Sequence, residues 1–292
     1  LLIQQLANGV FLGAVYALFA IGYTLIFGVL DILNLAHAAI FMLAAFVALS
    51  LAGLGVPLVL AFALALVVAG LLGVLLDRVA FAPLRRRNAG TLVPLISSIG
   101  AAIIMQGVAR GIWGPDERRF PSNALSTAEI HIGSLTVGAL DLVILAIALA
   151  LMGVLSYVLR STALGRSIRA VAADRVAAAL LGVDIERTIA LTFFIASALG
   201  GAAGILIGLQ YNSVSLEMGA RIELKGLAII ILGGMGSVTG AVIGAFLLGA
   251  VETLSVAYIS SSYRDAIAFG VMFLILVLRP TGLFGKRALR AA

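Results

Sequence analysis

Few residues in this chain can do chemistry, and their scarcity makes each one informative. The 292 residues include 13 carboxylates, two histidines and no cysteine, against 63% hydrophobic side chains. Ionisable groups inside apolar sequence are costly and usually functional. Asn34 and His37 in "NLAHA" stand three apart, which puts both on one face of a helix. They can line a polar path for a solute, or satisfy backbone groups freed by a helix break; both readings stand. Glu252 lies within the apolar stretch "LLGAVETL". In "LGGMGS", Gly233, Gly234, Gly236 and Ser237 disfavour a regular helix and mark a turn or unwound segment at apparent membrane depth. Beyond them Gly240 and Gly244 continue a four-residue spacing suited to close helix packing. Asp31, Asp141, Glu217 and Glu223 fall near the ends of apolar runs and read as interfacial charges.

Several reaction classes are excluded. With only His37 and the loop residue His131 available and no thiol, no metal site is expected. The two lysines, in "ELKGLA" and "FGKRAL", do not fit a phosphate-cradling loop, so any ATP dependence must come from a partner. There is no G-x-S-x-G elbow and no paired carboxylates in a polar cleft. No catalytic residue and no cofactor are expected, and the chain does not read as an enzyme.

The elements that must position these residues are membrane spans. Only 11% of residues are charged and the mean hydropathy is +1.21, whereas soluble domains carry roughly a quarter charged residues. Apolar runs near 7–28, 36–53, 57–80, 92–112, 139–159, 187–210, 223–236, 239–257 and 265–279 predict an all-α polytopic bundle. The polar interruptions at 27–41 and 232–245 predict broken or re-entrant segments, so the expected count is about eight to ten. No cleavable signal sequence precedes the first run, and insertion through the chain's own spans is expected. One transmembrane domain covers 1–292, with a larger external loop at 113–138.

Orientation follows from charge. The formal net charge of +6 has no accompanying nucleic-acid signature, and in a membrane protein excess Arg and Lys reports the cytoplasmic side. Arg78, Arg85, Arg86 and Arg87 place the end of the third run inside. Alternation then puts 160–186 and the tail with Lys286, Arg287 and Arg290 inside. Arg110, Arg118, Arg119, Arg221, Lys225 and Arg264 fall outside. The basic excess lies on the inner side.

One segment resists burial. "ALGRSIRAVAADRVAAALLGVD" (163–184) is too charged to span, has good helix formers from 165 to 181, and ends at Gly182, which suits a left-handed terminator. It should lie on the cytoplasmic surface. Its many alanines favour docking of another protein over anchoring in lipid, since a lipid-binding helix does better with bulky anchors.

The sequence "RSTALGRSIRAVAADRVAAALLGVD" resembles the cytoplasmic coupling loop of bacterial ABC importer permeases, specifically the branched-chain amino acid permease family. Further matches are "NGVFLGAVYALFAIGYTLIFGVLDILNLAHA" (8–38), "DRVAFAPLR" (77–85), "LGGMGSVTGAVIGA" (232–245) and "RPTGLFG" (279–285). The resemblance covers essentially the whole chain. It implies a multi-pass permease subunit in a bacterial inner membrane, working with a second, different permease chain, two cytoplasmic ATPases and a periplasmic binding protein. It also implies that Gly165, Arg169, Ala173, Asp174 and Gly182 belong to the ATPase-coupling loop, and that Asn34 with His37 falls at the helix break near the substrate path. Gly233, Gly234, Gly236, Ser237 and Glu252 are further candidates for that path from their own types and positions. "NLAHA" stands where the family often has "NFAHG". The rivals are an ion-coupled secondary transporter, a passive channel, and a permease of the same superfamily for an amide, urea, an aromatic acid or a sugar.

Overall fold

The computed structural model describes residues 2–87, 89–90, 92–121, 128–132 and 135–284. The basic tail residues Lys286, Arg287 and Arg290 and parts of the external loop lie outside them. Among the described residues, nine helical segments stand where the nine apolar runs were expected. They are α1 (Leu2–Leu30), α2 (His37–Gly53), α3 (Leu58–Leu76) with its extension α4 (Ala82–Arg86), α5 (Leu92–Trp113), α6 (Ala139–Ser161), α9 (Ile185–Gln210), α10 (Met218–Gly233), α11 (Val238–Tyr258) and α12 (Arg264–Leu278). Two short helices, α7 (Ala163–Ala173) and α8 (Arg175–Leu180), lie between α6 and α9. A small hairpin, β1 (Glu129–Ile132) with β2 (Leu135–Gly138), lies between α5 and α6. This is an all-α polytopic membrane protein.

Among the described residues, seven segments are long and apolar enough to cross a bilayer, the seventh being α12 together with the 3-10 turn Ser261–Tyr263 that leads into it. The other two, α2 with 17 residues and α10 with 16, are the partners of the two interruptions seen in the sequence. Each break lies between one of them and a long helix: 31–36 separates α1 from α2, and 234–237 separates α10 from α11.

The core is built on α1 and α9, which are buried along most of their length, whereas α5 and α12 bury few residues. Small residues decide which helices reach the centre. A methyl group on Gly249 of α11 would meet the Gly9 carbonyl at 2.5 Å and the Gly13 nitrogen at 2.7 Å, so α1 and α11 pack backbone to backbone. Without a hydrophobic force between helices in lipid, such close packing supplies the attraction.

Polar contacts gather at the two ends of the bundle. At one end Arg175 donates to the Val29 carbonyl at 2.8 Å, and Arg85 reaches Asp77 and Glu186. At the other, Gln4 exchanges hydrogen bonds with Thr136, Trp113 Nε1 donates to Ser50 Oγ, and Arg118 pairs with Val214.

A single π-helical turn, Asp77–Phe81, joins α3 to α4. Asp77 is fully buried there, and Arg85 meets it with two nitrogens at 2.5 and 3.3 Å while its second nitrogen also reaches Glu186 at 3.0 Å. Glu186 stands in the first turn of α9, directly after the α7–α8 loop. The triad therefore fastens the third span to the exit of that loop.

The surface segment corrects one expectation. It is not one helix from 165 to 181 but two, broken at Asp174, whose extended backbone (φ −160°, ψ 114°) turns the chain. The Asp174 carboxylate accepts hydrogen bonds from Val176 N at 2.8 Å and Ala177 N at 3.0 Å, an N-cap that starts α8. Gly182 does adopt the expected left-handed conformation, at φ +81°.

Candidate functional site

At the first break, polar residues serve the backbone. Asn34 Oδ1 accepts from Ala36 N at 3.2 Å, the Asn34 carbonyl accepts from His37 N, and Ser98 Oγ accepts from Leu35 N at 3.2 Å. Broken helices in membranes persist where freed backbone groups are satisfied in this way. His37 is completely buried, with its ring 4.9 Å from that of Phe19 and edge-on to Tyr23 at 5.6 Å. A methyl on Gly200 would sit 2.6 Å from His37 Cε1, so α9 closes over the imidazole. Neither ring nitrogen has an aligned hydrogen-bond partner. Asn34 thus serves the backbone at the break, whereas the His37 imidazole is held by ring packing.

At the second break, Gly234 and Gly236 take φ +96° and +82°, and Ser237 Oγ caps α11 by accepting from Gly240 N at 3.1 Å. The carbonyls left at the end of α10 find unexpected donors: Leu283 N bonds Leu232 O at 2.7 Å and Phe284 N bonds Gly233 O at 3.1 Å. Gly282, at φ +74°, makes this possible, because a side chain there would lie 2.6 Å from the Ile231 carbonyl. The "RPTGLFG" motif is thus a latch on the broken helix.

Glu252 joins neither break. Its carboxylate is paired with Lys225 Nζ at 2.6 Å and accepts from Tyr16 Oη at 3.0 Å, and Lys225 also donates to Tyr16 Oη at 3.1 Å. Asp265 makes a second contact to Lys225 at 3.0 Å, and Arg264 Nε lies 3.9 Å from Glu252 and 3.5 Å from Asp265. Side-chain exposures of 7% for Lys225 and 1% for Glu252 show why they need each other: a buried charge is tolerated only with close partners. The sequence counted Lys225 among the outer-side charges, at the start of the run 223–236. The structure corrects this, since α10 starts at Met218 and carries Lys225 into the bundle, where two carboxylates compensate it. Beside the cluster opens a cavity of about 300 Å³ that reaches the 211–217 loop and Arg264.

Between α6 and α9, the residues of the α7–α8 loop hold its shape. Gly165 packs on the Val158 and Leu159 carbonyls, where no side chain fits, and Arg169 donates to the Leu159 carbonyl. Ala173 is exposed at the end of α7. The loop presents three large apolar side chains outward, Val176, Leu180 and Leu181 at 71%, 84% and 82% exposure, beside the exposed charges Arg166, Arg169, Asp174 and Asp184.

Residues 5–276 match the family described as branched-chain amino acid transport system / permease component. The chain belongs to this family. The permease is 34% identical to the high-affinity branched-chain amino acid transport system permease protein BraD of Pseudomonas aeruginosa, over 97% of this chain and 96% of the relative. It is 37% identical to LivH of Escherichia coli K12, of the same description, with the same coverage. The autoinducer 2 import system permease protein LsrC of Klebsiella pneumoniae shares 36% identity over 49% of this chain and 43% of its own. No solved structure matches the permease.

Sequence reasoning found Glu252 but missed Tyr16, Lys225, Arg264 and Asp265. One signal was available: a lysine seven residues into an apolar helix requires a carboxylate, and Glu252 was the unpaired one within an apolar run.

Proposed function

We propose that this chain is the transmembrane subunit of an ATP-driven importer for branched-chain or similar hydrophobic amino acids. It would receive its solute from a periplasmic binding protein in a bacterial inner membrane. A second, different permease chain would complete the path, and two cytoplasmic ATPases would supply the energy. The observation that carries this reading is the α7–α8 loop, a surface element with exposed Val176, Leu180 and Leu181. It is held from within by Gly165, Arg169 and the Asp174 cap, and followed at once by the Arg85–Glu186 tie to the third span. A braced surface loop that shows Val176, Leu180 and Leu181 among exposed charges, at the basic end of a bundle, suits docking of a soluble partner.

The mechanism is alternating access. Closure of the ATPases moves the loop, and the loop moves α9 and, through Arg85, the α3–α4 segment. A partner shifts the conformational equilibrium only by binding the two states unequally, and the loop is where that difference is applied. The solute is not chemically altered.

The test is affinity purification from native membranes followed by reconstitution. Two ATPase chains and a second permease should co-purify, and the liposomes should take up leucine only with ATP and the binding protein. Uptake by this chain alone under an ion gradient would overturn the proposal in favour of a secondary transporter.

A further inference from the structure

The cavity beside Lys225 has a mixed lining. Phe41, Ile207, Met218 and Ile222 supply apolar surface, and Arg221, Lys225 and Arg264 supply positive charge. Met218, Arg221, Ile222 and Lys225 share one face of α10, and among the described residues no carboxylate lines the space. Glu252 and Asp265 stand behind these cations and are engaged by Lys225. Arg264 is held more loosely, at 3.5 and 3.9 Å, and Arg221 is paired only with Glu217 in a contact that is 78% and 76% exposed. An exposed pair of that kind contributes little and yields readily to a better partner. The hydroxyls of Tyr211, Ser213 and Ser215 complete the rim.

We propose that this cavity is a solute site within the permease itself, built for a small molecule with a carboxylate at one end and an aliphatic group at the other. Arg264 and Arg221 take the carboxylate, with Lys225 fixed behind them, and the aliphatic group lies on Phe41, Ile207, Met218 and Ile222. Planar guanidinium groups suit a carboxylate because they offer parallel donors. A volume of about 300 Å³ accommodates one free amino acid and sits at the lower end of ligand-pocket sizes. The position fits as well, because the cavity opens beside the 211–217 loop at the end opposite the coupling loop, where solute would arrive. The site discriminates by charge: a neutral amide, urea or a sugar leaves these cations without their anion.

This inference rests on the proposed amino-acid function and is tested so that the two can fail separately. The assembled importer, purified with its partners, is assayed for binding of radiolabelled leucine in the absence of binding protein, and the same preparation for ATP-driven leucine uptake in liposomes. Saturable binding is expected, displaced by 4-methylpentanoate, which keeps the carboxylate, but not by isoamylamine, which lacks it. Arg264→Gln should weaken binding about 10-fold or more, Arg264→Lys less, with unchanged melting temperature, as expected for loss of a charge-assisted hydrogen bond. Arg221→Gln should weaken it in the same direction. Uptake without such binding, displacement by isoamylamine instead of 4-methylpentanoate, or wild-type affinity in Arg264→Gln overturns the site and leaves the function standing. Binding without uptake supports the site and overturns the function. Absence of both overturns both.

Discussion

Replacing Arg85 by methionine should unfold the permease more readily than almost any other single change at its inner end. Asp77 has no exposed side-chain surface, and its neighbour among the cations is Arg85, itself only 10% exposed. Removing the guanidinium leaves a carboxylate inside the bundle without its counter-charge. Breaking a buried pair in this way costs about 3–5 kcal/mol. The penalty has a ceiling, because the protein can protonate the group instead, and neutralising an ordinary carboxylate at neutral pH costs about 4 kcal/mol. With roughly 2 °C of melting temperature per kcal/mol for a chain of this size, Arg85→Met should melt about 6–8 °C below wild type. The assay is thermal unfolding of the purified protein in detergent at neutral pH. The control is Asp77→Asn combined with Arg85→Met, which removes both charges and should recover most of the loss. A single variant within about 2 °C of wild type, or a double variant no better than the single, refutes the argument that charge burial rather than packing holds this joint.

Three other outcomes are expected. Leu180→Arg and Leu181→Arg, at positions 84% and 82% exposed, should lower recovery of ATPase subunits in affinity purification while shifting the melting temperature by about 1 °C or less. Gly282→Val puts a branched side chain at positive φ against the Ile231 carbonyl and should lower the melting temperature by several degrees, with faster amide exchange at Leu283 and Phe284. His37→Ala opens a void between Phe19, Tyr23 and Gly200 and should cost about 2–4 kcal/mol, so that the yield of folded protein falls while uptake per folded molecule is retained. Uptake that falls far more than yield would place His37 in the solute path after all.

Much of the architecture was legible because lipid leaves few options. Apolar runs of span length, the basic end of the third run and the two polar interruptions all follow from single stretches of sequence read locally. The turn at Gly234 and Gly236 and the left-handed Gly182 were equally local, since positive φ favours glycine. What escaped was long-range or rested on a side chain with two roles. Asp174 looked like one more charge on a helix; only its extended backbone reveals a cap. Lys225 and Glu252 stand on different helices, and no periodicity connects them. The Asp77–Arg85 pair is separated by eight residues across a π turn, which alters the register on which a helical-face argument depends. Asn34 and His37 were found by type and spacing, but whether a polar pair at a break serves the solute or the backbone depends on what surrounds it, and only packing shows that.

The contact between Leu283 and Phe284 and the end of α10 also bears on how the protein is made. The carbonyls of Leu232 and Gly233 end a helix inside a membrane-embedded chain, and an unsatisfied polar group in that setting costs several kcal/mol. Their donors are added about fifty residues later, after α11 and α12 have been synthesised. The second break therefore cannot reach its final form until α11, α12 and the residues after them have been made. The end of α10 is completed only by chain synthesised two helices later, which makes residues 282–284 a molecular check that α11 and α12 have been delivered.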